Sequence, residues 1–331
     1  MPISENIGCL PMKIRLRPYS ELFMKILGIT LLIIGLVGLF YGPLEIYCFY
    51  LFSGGGPFYY EGFQIGSFWF AYLTIQNSAY YIVTFLLIPI GIGTVELQNW
   101  ARKLSLNLLY IWIVLGISIT SSFIFALPEF LKNLNSAIFT VILLFLALFG
   151  IIIPAVLIKI YKSKKLKKVF KNRSENFIER IPQSILLVCS LNIIFILILH
   201  ASTLFQYIFP LFGKIILQRE SVIYVTMAVF ILAILSYGFW KKYFWAFYGL
   251  IIYYGLMLIS IMMTFSKYSI LDIIGLLNFP PYEQSQMISV LTPLLNFNLT
   301  ALFGSFLVFT LLSAIYSRKY FHNVILNLKN K

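Results

Sequence analysis

The middle of the chain, Lys159 to Arg180, reads KIYKSKKLKKVFKNRSENFIER and carries nine of the 25 Lys and Arg. Almost everything on either side of it is apolar. A segment this cationic cannot cross a bilayer, because each charge there costs several kcal/mol, so it must rest at a membrane face with one hydrophobic bundle before it and another after. Composition agrees: 60% of the 331 residues are hydrophobic, 11% are charged and the mean hydropathy is +0.91. A soluble domain is roughly half apolar and a quarter charged. The chain reads as an all-α, polytopic transmembrane helix bundle.

Eight apolar runs near the roughly 20 residues needed to span the hydrocarbon core can be counted. They lie at about 22–42, 78–97, 101–126, 136–160, 182–206, 220–240, 243–264 and 296–317. The first is too long for the apolar region of a signal peptide and ends in Phe40, Tyr41, Gly42, Pro43 without a small-residue cleavage site, so an uncleaved helix is expected. This divides the chain into a four-helix half (1–158), a basic linker (159–181) and a second four-helix half (182–331).

Charge placement gives the orientation. With the N-terminus inside, the inner segments hold 21 of the Lys and Arg, while the outer loops hold four, Lys132, Lys214, Arg219 and Lys267. Short cytoplasmic loops collect the cations, so both termini and the linker are expected in the cytoplasm of a plasma membrane. By this topology Cys9, Cys48 and Cys189 fall inside, outside and within the membrane. No disulfide framework is expected.

The halves echo one another. Gly93-TVELQN-Trp100-Ala101 leads the second helix into the third, and Gly238-FWKKYF-Trp245-Ala246 leads the sixth into the seventh. Arg17-Pro18 and Arg180-Ile181-Pro182 precede the first helix of each half. Proline opens a helix, glycine admits a close neighbour, and tryptophan anchors at headgroup level, so a parallel four-plus-four repeat is one reading and the shared preferences of cytoplasmic hairpins the other. Arg17-Pro18, Gly91, Gly93 and Trp100-Ala101-Arg102 together resemble a group of small four-helix integral membrane proteins of bacteria and archaea. The likeness covers roughly residues 17–103, with an echo in the second half where Phe247 stands in place of Arg102. It implies a prokaryotic plasma-membrane protein and supplies no activity.

The outer stretch Pro43 to Asn77 holds Ser53-Gly54-Gly55-Gly56-Pro57 among many aromatics. It lacks the Lys-Ser/Thr ending and following helix of a phosphate loop, and it reads as a turn in an aromatic segment at the outer interface, with a lid or docking surface as the functional alternative. A smaller outer loop, Asp272 to Gln286, is read either as a cover over the same face of the second half or as a simple proline-stiffened connection. Pro89, Gly91 and Gly93 in the second helix, and Gly150 with Pro154 in the fourth, mark expected kinks.

Ionisable groups are absent from the predicted helix centres. Lys25 and Glu96 sit near inner ends, where Glu96 can meet Arg102 or Lys103. His200, near an outer end, and His322, in the tail, are on opposite sides and cannot share a metal. Asn192, the most deeply placed polar residue, reads as an interhelical hydrogen-bonding group. No catalytic cluster, metal set or cofactor is expected. In the linker, Leu166, Val169 and Phe170 at helical spacing predict an amphipathic helix on the inner surface, with Lys162, Lys164, Lys165, Lys167, Lys168 and Lys171 offered to anionic lipid rather than to nucleic acid. Three function classes remain open: an accessory or scaffolding subunit that binds other membrane subunits, a channel or transporter for an apolar or weakly polar solute, and a lipid-active enzyme using Glu45, Glu61 or Glu129.

Overall fold

The computed structural model describes residues 17–53, 67–127, 136–170, 177–277, 279–292 and 297–321. The first half comprises α1 (Arg17–Ser53), α2 (Phe68–Val95), α3 (Asn99–Phe125) and α4 (Ser136–Ala147), which passes through a π-helical turn (Leu148–Ile152) into α5 (Ile153–Lys162). The linker contributes α6 (Lys164–Val169) and α7 (Phe177–Arg180). In the second half come α8 (Gln183–Leu204), the antiparallel hairpin β1 (Phe209–Leu211) and β2 (Lys214–Ile216), α9 (Gln218–Trp240), α10 (Phe244–Phe265), the short α11 (Ile270–Leu276) and α12 (Pro281–Leu291), and α13 (Leu299–Tyr316). Eight helices among the described residues are long and apolar enough to cross a membrane, with α4 and α5 together forming the fourth.

The first two helices run further than the sequence predicts. α1 continues through Gly42 and Pro43, and α2 starts at Phe68 instead of near residue 78. A proline forfeits one helical hydrogen bond, yet the backbone beside it has no other partner inside a bilayer, so helix persists where a soluble chain would turn. The aromatics Phe68, Trp69, Phe70 and Tyr72 thus belong to α2, whose first turn is capped by Ser67 accepting from the Phe70 amide at 3.2 Å. At 37 residues α1 is about 55 Å long, well beyond the roughly 30 Å of hydrocarbon. Gly54 to Gly56, Glu61, Glu129, Lys171 and His322 lie outside the described residues.

Small residues set the tightest approaches. A Cβ on Gly28 of α1 would stand 2.9 Å from the Gly91 carbonyl of α2, and one on Gly91 would stand 2.9 Å from the Gly28 carbonyl, so the two backbones touch. Without a hydrophobic drive between helices in lipid, such backbone contact is a main source of association. Gly116 of α3 meets the backbone of Gly150 in the same way, and the ladder of the fourth span shifts there into its π-helical turn, with Pro154 opening α5.

The halves share a helix order and differ in closure. In the second half α8, α9, α10 and α13 pack in succession, and α13 returns to α8, closing a ring. Its core holds Phe195, Leu250 and Tyr254, all nearly inaccessible. In the first half α1 packs along α2 and touches α6, while the fourth span packs on α3; among the described residues the two ends meet through the apolar cluster of Met24, Ile158 and Tyr161 at the linker end, without extensive backbone packing. α3 is the hub, packed against α2, the fourth span, α8 and α13.

Candidate functional site

At the linker end of the bundle the two Gly-Trp-Ala hairpins are built alike. Leu97 and Lys242 both take left-handed backbone conformations, φ 58° and 61°. The Gln98 amide donates to the Gly93 carbonyl at 2.7 Å and the Tyr243 amide to the Gly238 carbonyl at 2.8 Å, each terminating a helix and satisfying its last carbonyls. Glycine is required at both positions because a Cβ would stand 2.7 Å from the Cβ of Ala101 in one hairpin and 2.6 Å from that of Ala246 in the other, with the Trp100 or Trp245 ring equally close.

The hairpins part at the next residue. Arg102 donates to Asn99 Oδ1 at 3.1 Å and to the Tyr161 carbonyl at 3.3 Å, at the end of α5. Beside it, Lys103 Nζ donates to the Glu179 carbonyl at 3.0 Å and to the Ile181 carbonyl, and Gln183 donates back to the Lys103 carbonyl at 3.3 Å. Two adjacent cations at the start of α3 therefore hold both ends of the linker, each placed on carbonyls left free at a helix end. Glu96 does not pair with them; it accepts from Gln98 at 3.2 Å, since the turn at Leu97 separates it from the first turn of α3. Phe247, which replaces Arg102 in the second half, is buried 5.2 Å from the Phe321 ring.

The linker helix forms where its apolar spacing predicts. Its apolar face covers protein instead of lipid: Leu166 and Phe170 are buried with Met24, Leu97, Ile158 and Tyr161. This orients Lys162, Lys164, Lys165, Lys167 and Lys168 outward, all exposed, with Lys162 Nζ 5.2 Å from the centre of the Tyr110 ring.

Within the spans, Asn192 is fully buried and bridges three helices. Its amide donates to Ser236 Oγ on α9 at 2.7 Å and its carbonyl accepts from the Tyr254 hydroxyl on α10 at 2.6 Å. Between the halves, Asn107 donates to Ser190 at 2.7 Å, Ser121 and Ser305 lie 3.1 Å apart, and Ser122 donates to the Asn298 carbonyl at 2.9 Å. His200 is exposed, with Nδ1 only 3.1 Å from the Ile196 carbonyl of its own helix. Among the described residues no three His, Cys, Asp or Glu gather closely enough to hold a metal.

No family model, curated protein or solved structure matches the chain. The geometry alone must carry the functional reading.

At the face opposite the linker, the region read as a proline-stiffened connection is two helices. Glu283 in α12 is 4% exposed, and its carboxylate accepts from the Phe68 amide of α2 at 3.0 Å and from the Tyr282 hydroxyl at 3.1 Å. Trp69 Nε1 donates to Gln286 Oε1 at 2.6 Å. These bonds clasp the second half to the first, with a carboxylate at the positive end of a helix. The sequence held a signal for the start of α12, Pro281 followed by Glu283 in an opening helical turn, though not for the clasp. Glu45 lies apart from Glu283, accepting from Gln76 at 2.7 Å through one oxygen while the other has no partner.

Between α8, α10 and α13, at that same far end, lies a chamber of about 280 Å³. Phe195, Leu199, Met257, Ile261, Phe265 and Phe303 form its walls. Its floor is Phe195, one helical turn beyond Asn192, and Pro210 of β1 and Ile273 of α11 form the roof.

Proposed function

We propose that this chain is a non-catalytic component of a prokaryotic plasma membrane, an accessory or scaffolding subunit that binds another membrane protein through its first half. The observation that carries this reading is the unequal closure of two otherwise similar halves. Only 17% of the first span and 11% of the fourth are buried, against 44% of the third and fifth. A second-half ring of the same helix order completes itself, and the first half is a ring with one side missing. On the face turned away from α2, α1 presents a shallow apolar groove lined by Ile33, Leu36, Val37, Phe40, Tyr41 and Leu44. A helix from a partner completes the ring there. The charge distribution supports a cytoplasmic linker, whose five exposed lysines are then offered to anionic lipid, each worth roughly 1 kcal/mol.

The pairs Asn107–Ser190 and Ser121–Ser305 join the halves by direct contact, which supports a packed scaffold over a polar conduction path. The test is purification of the full chain from its own membrane in native nanodiscs, followed by mass spectrometry. A stoichiometric membrane partner is expected, lost in Val37→Trp and retained in Phe230→Trp, a lipid-facing change on α9. Arrival of the wild-type chain alone would remove the reading, as would a partner indifferent to Val37→Trp.

A further inference from the structure

We propose that the chamber of the second half holds one acyl chain of an anionic phospholipid, whose phosphate rests on the β-hairpin beside it. The walls and roof admit no polar guest. Ser202 is the one side chain with a polar atom among the lining residues, and its hydroxyl already donates to the Leu199 carbonyl at 2.7 Å. Water needs two to four polar partners and this lining offers a single hydroxyl, so an apolar guest suits the pocket better. An apolar chain fits the chemistry.

The charge nearby says what kind of chain. Lys214 belongs to the hairpin that carries the roof residue Pro210, Lys267 follows α10, which lines the chamber, and Arg219 opens α9 just beyond the hairpin. Lys214 follows the hairpin turn at Gly213, and Lys267 Nζ reaches across to within 3.0 Å of where a Cβ on Gly213 would stand. Lys267 thus brings one ammonium group against the turn of the hairpin whose Pro210 roofs the chamber, and Lys214, exposed beside that turn, adds a second positive charge. Glu220, beside Arg219, is the acidic residue in the adjoining first turn of α9. A free hydrocarbon has no use for these cations; a phospholipid with its tail below and its phosphate above uses both. Ala201 and Ser202 are small, half-exposed lining residues on α8.

The test uses the full chain in nanodiscs containing phosphatidylglycerol with a diazirine in one tail, followed by photolysis and peptide mapping. Labelling of Met257 and Ile261 is expected to exceed that of the lipid-facing Phe230 region. Ala201→Trp should lower it severalfold, because the indole takes the volume that the tail would occupy, with Phe230 labelling unchanged. Should that variant fail to give monodisperse helical protein, Phe303→Trp fills the chamber from the opposite wall. Lys214→Glu combined with Lys267→Glu should bring the labelling ratio of phosphatidylglycerol to phosphatidylcholine towards one. Uniform labelling of all spans, or no change on filling, overturns the acyl-chain site. Equal labelling by a diazirine alkane, with no effect of the lysine changes, identifies a free apolar guest and overturns the phospholipid.

Discussion

Two glycines that face each other across the first half are not equivalent. A Cβ on Gly116 would run into the Gly150 backbone, which cannot yield without moving a helix, while a Cβ on Gly150 would stand 3.2 Å from the Gly116 Cα, a contact relieved by a few tenths of an ångström. Gly116→Ala is therefore expected to destabilise the chain by about 2–3 kcal/mol, as overpacking does, and Gly150→Ala by less than about 1 kcal/mol. Thermal unfolding of the two variants in one detergent measures the difference, and equal losses would show that the fourth span adjusts freely on α3. Asn192 offers a second case at this scale. Asn192→Leu removes one partner from Tyr254 and one from Ser236, although Ser236 keeps its bond to the Leu232 carbonyl at 2.6 Å. The loss should be about 1–2 kcal/mol, borne mainly by the buried Tyr254 hydroxyl, and Tyr254→Phe in the Asn192→Leu background should add little. A double-mutant cycle with additive losses would mean that the two groups do not depend on each other.

At the scale of elements, the junction of α3 with the linker joins stability to access. Because Arg102 and Lys103 hold the Tyr161, Glu179 and Ile181 carbonyls, changing both to Ala should release the linker and raise its cleavage by trypsin severalfold over that of the Lys241–Lys242 turn, which serves as the internal reference. An unchanged ratio would mean that the buried Leu166 and Phe170 suffice to hold the linker down. On the opposite face, Asp272 caps α11 reciprocally with Ser269, whose amide and hydroxyl hold the carboxyl below its ordinary value of 3.8. A depressed value means that the cap contributes above 3.8 and is lost as pH falls through the lower folded value, so the α11 amides should keep their exchange protection down to about pH 4 and lose it only in stronger acid. Protection lost near neutrality would exclude Asp272 as the cause.

What the sequence made legible follows the same physics. Eight spans could be counted because in lipid length and apolarity are nearly sufficient for a helix. The Gly-Trp-Ala turns could be found because a close approach leaves no residue but glycine. The extents of α1 and α2 could not, since Gly42, Pro43 and the aromatics from Phe68 onward are turn and interface signals that the surroundings override. The Glu283 clasp escaped because its two partners are 215 residues apart and no local pattern couples them. Arg102 and Lys103 were visible as cations at a membrane face, and their carbonyl partners were not, because a carbonyl carries no sequence label.

For the whole molecule, closure and charge act on different axes. Along the membrane normal, the cations are concentrated at the linker end, which predicts that end to be cytoplasmic. In the plane, one half is closed and the other open. The first of these is testable without knowing any partner, because the exposed lysines of α6 and the exposed Lys267 mark opposite faces. In a background with the native cysteines replaced, Lys165→Cys should react with a membrane-impermeant maleimide only after the cells are opened, and Lys267→Cys should react in intact cells. The reverse pattern would place the linker outside and invert the positive-inside rule for this chain. It would also place the phospholipid chamber in the cytoplasmic leaflet while leaving its walls and its two hairpin lysines as they are. The labelling experiment therefore fixes which leaflet would supply the proposed acyl chain, and on which side of the membrane the basic linker lies.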